Sequence, residues 1–138
     1  MGRFRLLEHT ADMGLAATGA DPVDLFLAAA RGLRAMLLGR RVPSPERWEP
    51  VKVTGDGREE LLVNYLGEIL IRLEVGAFLA TAFEIEELSA TVLRGRFGGC
   101  DFDPRRHALE REIKAITWHQ LAVTESDGSW RARLYVDL

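Results

Sequence analysis

The stretch Glu59-Glu60-Leu61-Leu62-Val63-Asn64-Tyr65-Leu66-Gly67-Glu68-Ile69-Leu70, continued by Ile71-Arg72-Leu73, decides the fold class of this chain. Leu61, Leu62, Tyr65, Leu66, Ile69, Leu70 and Leu73 recur at helical spacing, so a helix gathers them on one broad apolar stripe. Asp56 and Glu59 stand three apart just before it, as in a capping box. From residue 80 the period changes to two. Thr81, Phe83 and Ile85 alternate with other residues, and 89–97, 112–118, 121–124 and 130–136 also read as strands. Ser126-Asp127-Gly128-Ser129 is a hairpin turn between the last two.

Toward the N-terminus, Asp21-Pro22 opens an earlier helix. Asp21 can cap it, Pro22 fits the first turn, and Asp24 suits its positive end. Phe26, Ala29, Leu33, Met36 and Leu37 give that helix its buried face, and Gly39 is its stop. Residues 3–8 and 14–19 read as strands separated by His9-Thr10-Ala11-Asp12. Residues 40–50, with Pro43, Pro45 and Pro50, read as a connecting loop before a short strand from Val51 to Thr54. The expected architecture is an α+β two-layer sandwich. Two helices cover one face of a mostly antiparallel, mixed β-sheet in a single domain spanning residues 1–138.

A chain of 138 residues, 47% hydrophobic and 28% charged, suits one core. No apolar run approaches the roughly 20 residues needed to cross a bilayer, so no membrane role is expected. From the charged start, no secretory signal is expected. Gly2 hints at myristoylation, but Leu6 stands where that motif needs Ser or Thr. Cys100 is the single cysteine, which excludes an internal disulfide and paired-cysteine zinc sites and points to a cytoplasmic compartment. The net charge is −3, and only Lys52 and Lys114 of the 18 basic residues are lysines. Unaided grip on nucleic-acid phosphates usually accompanies a basic surplus, so direct RNA binding ranks low.

Four places could carry chemistry. His9-Thr10-Ala11-Asp12 packs an imidazole, a hydroxyl and a carboxylate into one bend, although Thr10 and Asp12 could simply bond the bend's own backbone. Val136-Asp137-Leu138 closes the chain. Alternation sends Leu134 and Val136 to the core and Arg133, Tyr135 and Asp137 to the other face. Asp137 and the carboxylate of Leu138 then crowd one strand end, or fray into solvent. With Asp12 they would make an all-oxygen set suited to Ca²⁺ or Mg²⁺. Gly98-Gly99-Cys100-Asp101-Phe102-Asp103-Pro104, before Arg105, Arg106 and His107, reads as a surface loop. It lacks phosphate-loop or dinucleotide spacing. Lys114, Ile116 and Trp118 share one face of a strand that ends near His119, and Lys114 could point to solvent or neutralise an acid. No serine elbow, metalloprotease helix or triad is present, so no catalytic residue is assigned.

Taken in order, these segments resemble the archease family along nearly the whole chain. The likeness is carried by Glu8-His9-Thr10-Ala11-Asp12, Leu25-Phe26 with Ala28-Ala29-Ala30, Glu59 to Leu66 with Glu68-Ile69-Leu70, and Asp103 to His107. It continues through Glu112 to His119 and Trp130 to Asp137. Tyr65 stands where a tryptophan is common, Trp118 where a tyrosine is common, and Gly98-Gly99 lacks a frequent glutamate. The resemblance implies an accessory protein, not an enzyme, that activates an RtcB-type tRNA-splicing RNA ligase by promoting its guanylylation and multiple turnover. RNA would be met only through that ligase. The resemblance places a divalent-metal site on Asp12, Asp137 and Leu138, with Ca²⁺ first and Mg²⁺ or Mn²⁺ as alternatives. His9, Thr10, Lys114 and His119 are candidates for the surrounding shell or the partner surface. The competing readings are a metal-dependent phosphoesterase or nucleotide hydrolase using Asp12, Asp137 and His9, and a chaperone-like helper of RNA-modifying enzymes.

Overall fold

The computed structural model describes residues 1–8 and 12–138. Their order is β1 (Arg3–Glu8), β2 (Asp12–Gly19), α1 (Pro22–Leu38), β3 (Arg47–Thr54), α2 (Arg58–Gly76), β4 (Phe78–Leu88), β5 (Val92–Asp101), β6 (Ala115–Ser126) and β7 (Ser129–Asp137). Helix α1 begins and ends as its caps dictate. The Asp21 carboxylate accepts from Asp24 N at 2.8 Å, Pro22 occupies the first turn, and Gly39 at φ 62° donates its N–H to Ala35 O at 2.8 Å. Asp24 in turn accepts from Gly2 N and Ala20 N at 2.6 and 2.9 Å, which ties the chain start to the helix entrance. Those backbone donors, Ala20 first, hold its carboxyl below the usual aspartate value. The contribution is present above about pH 4 and is lost as acid protonates the group.

Helix α2 starts differently from expectation. Gly57, at φ 113°, is the N-cap and no side chain caps it, so Asp56 and Glu59 form no capping box. The turn into the helix uses a backbone geometry open to glycine, and Glu59 and Glu60 supply negative charge to the positive helix end. Its stripe behaves as read: Leu61, Leu62, Tyr65, Leu66, Ile69 and Leu70 are buried, and Leu73 packs at the margin.

The strands form two sheets rather than one, in orders β1-β2-β7-β6 and β3-β5-β4, and every described pairing is antiparallel. The sheet is therefore divided and not mixed. Helix α1 packs on β1, β2 and β7 of the first sheet and β4 of the second, while α2 packs on β3, β4 and β5 of the second and β6 of the first. Two helices thus bridge two sheets around one continuous apolar core, in an α+β arrangement.

Two local readings need correction. Strand β3 starts at Arg47, not at Val51 after a loop over 40–50, and runs through Pro50. The position tolerates proline because β3 is a sheet edge. Gly98 to Asp101 is not a surface loop but the end of β5, with Gly98, Gly99 and Cys100 buried. A Cβ on Gly98 would lie 2.9 Å from the Trp48 indole, and one on Gly99 would lie 2.1 Å from Leu79 O. These glycines admit neighbouring strands and rings rather than a turn. Among the described residues, no helix is long and apolar enough to cross a membrane.

Tyr65 is wholly buried, and its hydroxyl finds no partner among the described residues. Burial pushes its phenol well above the ordinary value of 10.0. Tyr65→Phe removes an unpaired buried hydroxyl and should stabilise the protein by about 1 kcal/mol. Above pH 10 the unfolded chain releases this proton before the folded one does, so wild-type stability falls as pH rises. Chemical denaturation from pH 8 to 11 should show a shallower fall in the variant. Equal slopes in both proteins would refute this account of Tyr65.

Candidate functional site

The outer face of the first sheet carries the site, and the strand register assembles it. Side chains of period two put Asp12, Gly14, Ala16 and Thr18 of β2 on that face, and Met13, Leu15 and Ala17 in the core. On β7, Leu134 and Val136 are 1% and 0% exposed, so Tyr135 and Asp137 take the opposite face, as alternation required. The register pairs Asp12 directly with Asp137 and Gly14 with Tyr135. Asp12 is therefore the first residue of a strand and not part of a turn, because β7 continues far enough to give it a partner.

Asp12 is half-buried, while Asp137 and Leu138 are exposed. Ala115 faces Asp137 from the other side, and Lys114 N donates to Asp137 O at 2.9 Å. Lys114 thus joins the strand end through its backbone. The residue itself is exposed and lines the groove between α2 and β6 with Glu68 and Glu74. Tyr135 is only 6% exposed despite facing outward. Gly14 makes this possible, since a Cβ there would lie 2.8 Å from the Tyr135 ring. The His119 ring leans on Tyr135 with centroids 5.9 Å apart. His119 is exposed at the break in β6 where Gln120 has φ 53° and the register slips between Thr117 and Ala122. Ile116 is buried, but Trp118 is 58% exposed, so the two do not share one packed face as the alternation suggested. His9 and Thr10 lie outside the described residues.

The remaining candidate, 98–107, is committed to its own structure. Asp103 accepts from Arg105 N at 2.9 Å through its carboxylate, and its carbonyl accepts from the N–H groups of Arg106 and His107. His107 Nδ1 accepts from Asp103 N at 2.9 Å, and its ring stacks on Phe102. Cys100 is buried, and that burial raises its thiol pKa. A protonated, enclosed thiol is a poor nucleophile.

Opposed carboxylates repel and slightly destabilise an antiparallel pair unless a cation or donor intervenes. Among the described residues, neither Asp12 nor Asp137 has a cationic side chain in ion-pair contact. No three His, Cys, Asp or Glu side chains converge there or elsewhere among those residues. The pair supplies two hard oxygen ligands, and the exposed Leu138 adjoins Asp137. This donor set fits Ca²⁺ or Mg²⁺ and offers nothing to a thiophilic metal.

Fold and strand end together define a two-helix, two-sheet α+β protein with an acidic pair at the edge of an open sheet face. The Archease protein family (MTH1598/TM1083) matches residues 4–138. The archease of Methanopyrus kandleri is 35% identical, covering 96% of each chain, and that of Pyrococcus furiosus is 30% identical over 100% of each. The solution structure of Methanobacterium thermoautotrophicum protein 1598 superposes with a TM-score of 0.79 at 27% identity, covering 98% of both chains. A Thermotoga maritima structure, described as an archease, "possible chaperone", shares the fold with a TM-score of 0.65 at 16% identity. The chain belongs to the archease family.

Proposed function

We propose that this protein is an accessory factor that activates an RtcB-type tRNA-splicing RNA ligase, using a divalent cation held by Asp12, Asp137 and Leu138. The observation that supports the reading is the direct pairing of Asp12 with Asp137 at one strand end, which Leu138 adjoins. Bound there, Ca²⁺ or Mg²⁺ would neutralise the repelling oxygens and leave coordination positions for a partner's phosphate or carboxylate. The chain's own residues do the rest. Asp12 and Asp137 are held in register by the β2–β7 ladder, and Lys114 N fixes the Asp137 carbonyl. Tyr135 and His119 form an aromatic shoulder beside them. Such a prong promotes guanylylation by binding the competent ligase conformation more tightly than the other.

Multiple-turnover ligation by the ligase with this protein, Asp12→Ala, Asp137→Ala and a chain extended past Leu138 tests the proposal. Stimulation by the wild type, lost in all three variants while the ligase's first turnover persists, is the expected result. Undiminished stimulation by the variants would refute it. Hydrolysis of cyclic-phosphate RNA or nucleotides by the protein alone would instead favour a phosphoesterase.

A further inference from the structure

A net charge of −3 argues against nucleic-acid binding only when charge is spread evenly, and on the outer face of the first sheet it is not. The register lays Arg3, Thr18, Arg131 and Thr124 in one row across the four strands, and Arg5, Ala16, Arg133 and Ala122 in the next. Four arginine Cα positions thus form a rectangle, roughly 6.7 Å along the strands and about 9.5 Å across two of them. All four arginines are exposed, and none belongs to the ion pairs of the described residues. Between them lie only small side chains, so the arginines stand over a shallow floor that Thr18, Gln120 and Thr124 also line. Glu125, next to Thr124, alternates to the other face of β6, and other acids lie beyond the lattice edges. Asp12 and Asp137 lie past the Gly14–Tyr135 row, Asp127 is in the β6–β7 turn, and Asp24 is bound to backbone N–H groups.

We propose that this arginine lattice binds the phosphate backbone of single-stranded RNA directly. Guanidinium groups present forked donors matched to phosphate oxygens and remain charged at any physiological pH. A protein partner of comparable affinity would want a buried apolar or aromatic anchor at the patch centre, and here the centre is alanine and threonine. A single strand needs only a charged track and a stacking platform. Trp118, 58% exposed and two residues before Gln120 of the floor, is the aromatic side chain offered for such stacking. Asp12 and Asp137 lie beyond one end of the lattice. The proposal holds whether or not a cation sits there.

The test is fluorescence anisotropy of a labelled 12-nucleotide single-stranded RNA with the full chain, in EDTA and without any ligase, across a salt series. A slope of log K against log salt near −2 to −3 is expected, corresponding to about three or four phosphates at roughly 0.7 each. The triple variant Arg5→Gln, Arg131→Gln, Arg133→Gln should bind at least ten-fold more weakly with a shallower slope, its fold checked by circular dichroism. Trp118→Ala should weaken binding without changing the slope, and Asp12→Asn should leave affinity intact or slightly improved. Absence of salt-dependent binding by the wild type, or full retention by the triple variant, would overturn the proposal. So would equal competition by polyglutamate of matched charge, which would point to an acidic protein. None of these outcomes bears on cation binding, so the ligase-activation reading stands or falls separately.

Discussion

Phe97→Ala should cost about 3–5 kcal/mol, the range for deleting a fully buried aromatic ring. Phe97 is 0% exposed on the central strand of the second sheet. Its ring meets Tyr65 of α2 at 5.5 Å and the edge of Phe83 of β4 at 5.8 Å. The Arg72 guanidinium lies 5.3 Å from the ring centroid and also binds Glu49, Glu68 and the Pro50 carbonyl. One truncation therefore opens a cavity under α2 and loosens the clamp joining that helix to edge strand β3. Backbones on three elements cannot all close on the void, so the upper part of the range is expected. A domain of this size has about 5–15 kcal/mol in total, and the melting temperature should fall by roughly 10 °C or more. Denaturant titration should show a lower midpoint with an unchanged slope; a loss under 1 kcal/mol would mean that Phe97 does not tie the helix to its sheet.

The second large effect falls on the acidic pair and has opposite signs in two conditions. Without divalent ions, Asp12→Asn should raise stability by a few tenths of a kcal/mol, up to about 1, because it removes like charges facing each other across the ladder. On the proposed cation reading, Ca²⁺ should stabilise the wild type by mass action and not the variant. Losing a proposed direct ligand should weaken cation affinity by more than the 10–100-fold that losing an outer-shell partner costs. Asp137→Ala should do the same. The double variant should lose little beyond either single one, since two parts of one site do not add. Melting curves with and without Ca²⁺ read both signs in one experiment. A variant less stable than wild type in EDTA would show that the pair is held by hydrogen bonds rather than poised for a cation.

The legible features were those set by local chemistry. Asp21-Pro22 and Gly39 bound α1 because cap geometry involves only neighbouring residues. The α2 stripe showed because burial of one helix face repeats with the helix period. The features that failed depend on distant partners. Gly98 and Gly99 resemble a loop until Trp48 and Leu79 are seen pressing on them. Pro50 breaks a strand pattern unless β3 is known to be an edge, and Asp56 and Glu59 mimic a capping box that Gly57 replaces. Division into two sheets left no mark on any single strand. At the site, alternation put Asp137 on the outer face, but only the β2–β7 register sets it against Asp12. The arginine lattice did have a sequence signal: Arg3 with Arg5 and Arg131 with Arg133 are each two apart in strands, which places each pair on one face. What remained hidden was that β2 lies between them.

A titration of the isotope-labelled protein with Ca²⁺, followed through backbone amide resonances, tests the cation account most directly. The account predicts saturable shifts at Asp12, Met13, Ala115, Asp137 and Leu138, quiet amides at Gly98 to Asp101, and loss of the whole response in Asp12→Asn. Shifts scattered over other acidic surfaces, or a response unchanged by that substitution, would contradict it.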